Sequence, residues 1–240
     1  MATGILIIGE SGSGKSTSIR NLDPKKTFII SVLGKDLPFK GWKKKYTEME
    51  IDWVQEGNTT SFKPVPKKAG NHYCVPDDRY AWAKVEILLD MILNSNKSIY
   101  DTIVIDDFGY LIVNEFLHRA YETGYNKFTE LAKHIKDVIS SIKKNRDSDK
   151  TVVFVAQPQT HSETGFRKIK TVGKLLDDQV HIEGLFTNVL FANVIDGKHV
   201  FETVADNSSA KTPDGAFKEK YIDNDLAEVI KRLKEYSEEE

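Results

Sequence analysis

Short apolar runs alternate along this chain with stretches of helical periodicity, and this alternation restricts the fold more than any other feature. The runs occupy residues 4–8, 27–32, 102–105 and 151–156. Continuous apolar runs of this length are typical of strands buried on both faces of a sheet. Strands that alternate with helices predict an α/β fold with a mainly parallel sheet.

Helices are expected between and after these runs, where apolar residues recur at helical spacing. Their predicted ranges are 16–22, 77–94, 110–122, 126–142 and a final helix capped by Asn224. The dipeptide Asp196-Gly197 separates two apolar stretches and predicts a C-terminal antiparallel hairpin.

Two long segments interrupt this pattern. Residues 33–76 contain four prolines and two lysine clusters, and they predict an insertion with a hairpin near residues 49–65. Residues 158–183 are polar and predict a loop. We therefore expect a single domain over residues 1–236, followed by an acidic tail at 237–240.

The composition excludes several classes of protein. The 34 Lys and Arg residues balance 36 Asp and Glu residues, so the chain does not coat nucleic acid through a global positive charge. The one cysteine cannot form an intrachain disulfide, which is typical of a reducing compartment. Because no apolar run approaches the roughly 20 residues that span a bilayer, we expect no membrane association and a cytoplasmic location.

Residues 9–16, GESGSGKS, match the pattern G-x-x-x-x-G-K-[ST] between a predicted strand and a predicted helix. Glycines let such a loop wrap around phosphates, and its amides meet the positive end of the following helix. Lys15 can reach the β- and γ-phosphates, and the Ser16 hydroxyl can ligate Mg²⁺. The predicted nucleotide-binding residues are Gly9, Glu10, Ser11, Gly12, Ser13, Gly14, Lys15, Ser16 and Thr17.

An acidic pair, Asp106 and Asp107, follows the third apolar run. We expect Asp106 to hold Mg²⁺ together with Ser16. Asp107 can act as the general base towards the attacking water, or it can simply cap the next helix. The base can also come from the end of the second strand, where Asp36 and Glu56 are candidates.

Gln157 ends the fourth strand, and ligands of open α/β sheets bind beyond the carboxyl ends of the strands. Gln157 is therefore a candidate sensor of the γ-phosphate; the alternative is a loop residue without a role.

The chain resembles short bacteriophage ATP-binding proteins related to the Sak-type, RecA-like single-strand-annealing ATPases. The segments that carry this resemblance are LPFKGW at residues 37–42, GKLL at 173–176, AKTPDGAF at 210–217 and YIDNDL at 221–226. The resemblance implies a three-layer P-loop NTPase fold and an oligomeric ATPase that acts on single-stranded DNA in phage recombination or replication. It also implies that Lys211 reaches the γ-phosphate of a neighbouring copy; the alternative is a solvated lysine.

Basic residues with an interleaved aromatic follow Gln157 and suit contact with single-stranded DNA. The candidates are Phe166, Arg167, Lys168, Lys170 and Lys174. Asp177, Asp178 and Glu183 offset this charge nearby, and the lysines around Trp42 form a second candidate patch. For both segments the alternative is an ordinary solvated surface.

These features together predict a Mg²⁺-dependent ATPase that binds ATP and acts on single-stranded DNA. One alternative is a nucleotide-dependent switch that regulates a partner protein. Another is a small-molecule kinase, but such enzymes usually need an arginine-bearing lid, and the chain has only six arginines.

Overall fold

The structure, a computed structural model, describes residues 2–57, 60–145, 148–172 and 180–238. Within these ranges, ten strands form one sheet and two strands form a second, small sheet. The strands are β1 (Thr3–Gly9), β2 (Thr27–Ser31), β3 (Glu48–Gln55), β4 (Phe62–Lys68), β5 (His72–Cys74), β6 (Thr102–Asp106), β7 (Thr151–Ala156), β8 (Pro158–Thr160), β9 (Arg167–Ile169), β10 (Asn188–Ile195), β11 (Lys198–Glu202) and β12 (Tyr221–Asp223).

Five α-helices accompany these strands in the described part of the chain. They are α1 (Trp42–Lys45), α2 (Ala81–Leu93), α3 (Tyr110–His118), α4 (Asn126–Lys144) and α5 (Leu226–Glu238). Two short 3₁₀ helices span Ser16–Asn21 and Ile182–Leu185.

The large sheet is mostly parallel, and its strand order is β12-β11-β10-β1-β7-β6-β2-β5-β3-β4. All pairs from β10 to β3 along this order are parallel, whereas β11, β12 and β4 pair antiparallel with their neighbours. The prediction of an α/β fold with a mainly parallel sheet and a C-terminal antiparallel hairpin is therefore confirmed.

Both faces of the sheet are covered, because successive residues of β1 point to opposite sides. Leu6 and Ile8 pack in one apolar cluster with residues of α2, α3 and α4. Ile5 and Ile7 pack in a second cluster with Ile19 and with residues of α5. Burial on both faces explains why the central strands are continuous apolar runs.

The hairpin at Asp196-Gly197 has the geometry that its sequence predicts. Ile195 pairs with Lys198 across a two-residue turn, and both turn residues have positive φ, 49° and 76°. Such turns match the right-handed twist of the flanking strands. This hairpin joins β10 to β11 beside β1.

The two interrupting segments contain more regular structure than their sequence predicts. The hairpin expected near residues 49–65 is present as β3 and β4, and the short strand β5 also joins the sheet beside β2. Within the expected polar loop, β8 and β9 pair with each other. Short strands with few apolar residues lack the hydrophobic pattern from which a strand is predicted.

The C-terminal helix differs from its prediction in two respects. It continues through Glu238, so the expected acidic tail is helical up to that residue. Its first turn is capped by Asp225, whose Oδ1 accepts a hydrogen bond of 3.0 Å from the Ala227 amide, and not by Asn224. Among the helices of the described ranges, none combines the length and apolar character that crossing a bilayer requires.

Candidate functional site

The loop between β1 and the 3₁₀ helix Ser16–Asn21 adopts a conformation that needs glycine. Gly12 and Gly14 have φ values of 79° and 95°, in the left-handed region that side chains disfavour. Gly9 is required for a different reason, because a Cβ there would lie 2.7 Å from the Ala192 carbonyl oxygen of β10. The start of the loop at Gly9 therefore packs closely against β10, and the chain turns sharply at Gly12 and Gly14.

Lys15 is buried at the centre of this loop. Its Nζ donates hydrogen bonds to the carbonyl oxygens of Gly9, at 2.5 Å, and of Glu10, at 2.7 Å. Burial lowers the pKa of Lys15, although attraction to Asp106 and Asp107 opposes this shift. The ammonium group thus sits in a buried position where its hydrogen-bond acceptors are neutral carbonyls.

Ser16, the first residue of the 3₁₀ helix after the β1 loop, meets Asp106, the last residue of β6, although β1 and β6 are not neighbours in the sheet. The Ser16 hydroxyl donates a hydrogen bond of 2.9 Å to Asp106 Oδ1 across the end of β7, which lies between β1 and β6. Burial, reinforced by the Asp107 carboxylate, raises the pKa of Asp106 to about 6. A hydroxyl and a carboxylate are the hard oxygen ligands that Mg²⁺ prefers, so this pair fits a magnesium ion.

Asp107 has an unusual backbone conformation and a cationic partner. Its φ is 59°, rare for a residue other than glycine, and its carboxylate lies 3.2 Å from Lys35 Nζ. In the described part of the chain, no side chain forms a capping hydrogen bond at the start of α3. The side chain of Asp107 therefore faces Lys35 rather than serving as the helix cap.

A cleft of about 310 Å³ brings most of the predicted site residues together. It is lined by Ser11, Gly12, Gly14, Lys15, Ser16, Thr17, Lys35, Asp36, Pro38, Asp106, Asp107, Gln157 and His199. The alternative base Asp36 lies in this cleft, whereas Glu56 follows β3 at the hairpin and bonds to Ser61. Lys35 and His199 were not predicted from the sequence, because neither belongs to a motif.

Lys211 lies outside this cleft. Its backbone pairs in both directions with Val189 of β10, which in turn pairs with Leu6 well before the glycine loop. Its side chain is exposed. The contact of Lys211 with the γ-phosphate of a neighbouring copy stays a prediction.

The basic segment after β7 divides into residues with different environments. Arg167 is held in place by Glu202, a fully buried carboxylate 2.8 Å from its guanidinium, and by Asn193 at 2.6 Å. Phe166 is 38% exposed and Lys170 is exposed. Arg167 thus already has a structural ion pair, whereas Phe166 and Lys170 face solvent.

Lys170 is also linked to the cleft. Its amide donates a hydrogen bond of 2.9 Å to the Gln157 carbonyl, and the two residues line a cavity of about 190 Å³ together with Asp107. Lys174 and the segment GKLL lie outside the described residues.

The second lysine patch has local partners. Lys43 lies 3.1 Å from Asp36 and 5.3 Å from the centre of the Trp42 ring, and Lys45 donates a hydrogen bond to the Arg20 carbonyl. Contacts of this kind between exposed side chains occur on ordinary solvated surfaces and also on binding patches.

No group of three or more His, Cys, Asp or Glu side chains arranged for a metal occurs in the part of the chain that the structure describes. A Mg²⁺ site that uses one carboxylate, one hydroxyl and phosphate oxygens does not require such a group. Neither a protein-family model nor a curated protein matches this chain.

Proposed function

We propose that this protein is a Mg²⁺-dependent ATPase with a RecA-like P-loop core. The observation that carries the proposal is the contact between Ser16 and Asp106 beside a glycine loop that encloses Lys15. A loop motif alone is a local pattern, but a carboxylate that meets the loop hydroxyl from another strand is the arrangement that a nucleotide-bound metal needs.

Lys15 provides the positive charge for the phosphates. Its present partners are two uncharged carbonyl oxygens, whereas phosphate oxygens carry negative charge and add a direct attraction between opposite charges to the hydrogen bond. A triphosphate in the cleft therefore competes well for Lys15. The positive φ values of Gly12 and Gly14 allow the backbone to come close to those phosphates.

Ser16 and Asp106 would hold the magnesium ion of a bound nucleotide. The metal would supply charge neutralisation on the β- and γ-phosphates. Because burial makes the Asp106 carboxylate costly to ionise, a cation at this position removes an electrostatic penalty that the protein otherwise carries.

Asp107 and Gln157 both line the cleft, and they also share the smaller cavity of about 190 Å³. Asp107 would accept the proton of the attacking water, and Gln157 would contact the γ-phosphate. Asp107 is bound to Lys35, so Lys35 either orients this carboxylate or restrains it. The restraining role favours the second candidate function, a nucleotide-dependent switch that binds ATP without rapid hydrolysis.

The decisive experiment compares phosphate release from ATP by the wild-type protein and by Lys15→Ala. We expect a loss of about 10²-fold or more, because the transition state loses its main cationic partner. Lys231→Ala, an exposed lysine on α5, is the matched control and should keep full turnover. Equal turnover in Lys15→Ala and wild type would contradict the assignment, and ATP binding without phosphate release would favour the switch.

Single-stranded DNA and a further copy of the chain are the proposed partners, in phage recombination or replication. The support for DNA is the exposed segment around Phe166 and Lys170, which is bonded directly to the Gln157 backbone. The oligomer is proposed from the resemblance at residues 210–217, which gives Lys211 a role at a γ-phosphate; because Lys211 is exposed and lies outside its own cleft, that role would require another copy.

A further inference from the structure

Asn224 carries an amide that is buried without any partner. The residue is 2% exposed, and within the described part of the chain neither Nδ2 nor Oδ1 has a hydrogen-bond partner. Burying an unpaired amide costs free energy, so native proteins rarely keep one without a reason. The side chains of Arg20, Asn21 and Asp225 beside it all form hydrogen bonds, so this amide is an exception among its neighbours.

The backbone around Asn224 is fixed by contacts that leave the side chain unused. The Asn224 carbonyl accepts a hydrogen bond of 2.9 Å from Arg20, and Asn21 bonds to the Asp225 carboxylate at 2.7 Å. Asp225 also caps α5. The Asn224 backbone is therefore bonded to the 3₁₀ helix Ser16–Asn21, and Asp225 takes the capping role that was expected of Asn224.

The unused amide is directed at the glycine loop. Asn224 Oδ1 lies 3.1 Å, and His199 Nδ1 lies 3.0 Å, from the point where a Cβ on Gly14 would sit. His199 is exposed and lines the cleft, and it stands on the β10–β11 hairpin. An amide and an imidazole from two separate elements thus converge on one side of the loop.

The order of the strands identifies this side. Asp106 and Gln157 reach the cleft from β6 and β7, on one side of β1, whereas His199 and Asn224 come from the side of β11 and β12. If the metal and the γ-phosphate lie towards β6, the rest of a nucleotide extends towards β11. This orientation of the nucleotide depends on the proposed function.

We propose that His199, which lines the cleft, and the buried Asn224, which meets it at Gly14, bind the nucleoside. The Asn224 amide, with one acceptor and two donors, hydrogen-bonds to the ribose or to the polar edge of the base. In this proposal the imidazole of His199 packs against the nucleoside, and because the Asn224 amide is buried in the free protein, the exposed His199 side chain would move when the ligand reaches that amide. The ligand is therefore a nucleoside triphosphate, recognised by more than its phosphates.

Titration calorimetry with Mg-ATP and with Mg-tripolyphosphate tests this proposal, because the second ligand has the phosphates but no nucleoside. We expect His199→Ala and Asn224→Ala each to weaken ATP binding by about tenfold, the effect of removing one or two hydrogen bonds to the nucleoside or the packing against it. Both variants should keep their affinity for tripolyphosphate within about twofold. Lys15→Ala should weaken the binding of both ligands. His118→Ala is the control, because His118 is exposed at the end of α3 and does not line the cleft, and it should weaken the binding of neither ligand.

Two results would overturn the proposal. One is equal weakening of both ligands, which would mean that these residues only shape the loop; the other is unchanged ATP binding in both variants. If the wild type binds neither ATP nor tripolyphosphate, the proposed function falls as well, so the two failures are distinguishable. Thermal unfolding of Asn224→Ala without ligand checks its folding; its midpoint should stay close to that of wild type, because removal of an unpaired buried amide offsets the packing lost with the side chain.

Discussion

At the scale of the residue, the cleft brings together buried charged groups whose pKa values are shifted. Asp106 is 6% exposed, and burial with Asp107 alongside raises its pKa to about 6. Lys15 is buried as well, with a lowered pKa. Such pairs of perturbed groups in one cleft are typical of functional sites. We therefore expect these buried charges to lower the stability of the free protein.

Asp106→Asn tests this conflict between stability and activity. In buffer with EDTA at neutral pH, we expect the urea midpoint of the variant to equal or exceed that of wild type, because a buried negative charge is removed. ATP turnover with Mg²⁺ should fall by about 10²-fold or more, because the amide is a poor metal ligand.

The matched control for this variant is Asp101→Asn, which removes an exposed partner of Lys26. A surface ion pair contributes about 0–1 kcal/mol, so we expect little change in either measurement. A large decrease in the urea midpoint of Asp106→Asn would show instead that the carboxylate stabilises the free protein.

At the scale of the element, a very short strand brings a titratable side chain into the interior of the protein. β5 has only three residues, yet it joins β2 and β3 and places His72 in the interior. The His72 ring lies 5.3 Å from the Trp42 ring, edge to face. Burial lowers the pKa of His72, against the attraction of Glu48 and Asp36, so the folded protein favours the neutral imidazole.

His72 should make the fold sensitive to mild acid. In the unfolded chain the imidazole binds a proton near pH 6.5, whereas in the folded protein it does so only at lower pH. Stability is therefore retained above about pH 6.5 and lost as the pH falls below it, because the unfolded state binds the proton first.

We expect His72→Phe, which keeps the aromatic contact, to lose less stability than wild type between pH 7.5 and pH 5.5. Urea midpoints at the two pH values measure this difference, and His181→Phe, at an exposed position, should behave like wild type. If His72→Phe and wild type lose the same stability on acidification, another group is responsible.

At the scale of the whole molecule, the parallel sheet gathers the ends of separate strands at one edge. The glycine loop follows β1, Asp106 ends β6, and Gln157 follows β7 between them. The basic segment that follows Gln157 therefore begins at the cleft itself. This arrangement connects the proposed nucleotide site with the surface proposed to bind DNA, so we expect binding at one to influence the other.

Binding of labelled single-stranded DNA at two salt concentrations tests that surface. We expect the double variant Lys168→Ala and Lys170→Ala to bind more weakly, with a salt dependence shallower by about 0.7 in log–log slope for each DNA phosphate that is no longer neutralised. The control is Lys136→Ala with Lys143→Ala, two exposed lysines of α4. No binding by the wild type at low salt would remove the DNA partner, and equal binding by both double variants would locate it elsewhere.

Much of the fold could be predicted from the chain because its signals are local. The central strands are apolar runs, the hairpin depends on Asp196-Gly197, and the glycine loop is defined by spacing over a few residues. The pairing of Ser16 with Asp106 was also predictable, since the loop that ends at Ser16 and the acidic pair both follow strands of one parallel sheet. The short strands β5, β8, β9 and β12 were not predictable, because strands of three residues are too short to show a hydrophobic period and are held by pairing with a neighbouring strand.

The α/β class, the glycine loop and the residues nearest the proposed metal follow from the amino-acid sequence alone, since local periodicity and motif spacing encode them. The tertiary structure decided which side chains that are distant in the sequence lie close to each other. It paired Asp107 with Lys35 and Arg167 with Glu202, and it directed His199 and Asn224 at Gly14. Such contacts depend on strand order and on competition between neighbouring groups, as when Asp225 caps α5 and leaves the Asn224 amide unpaired.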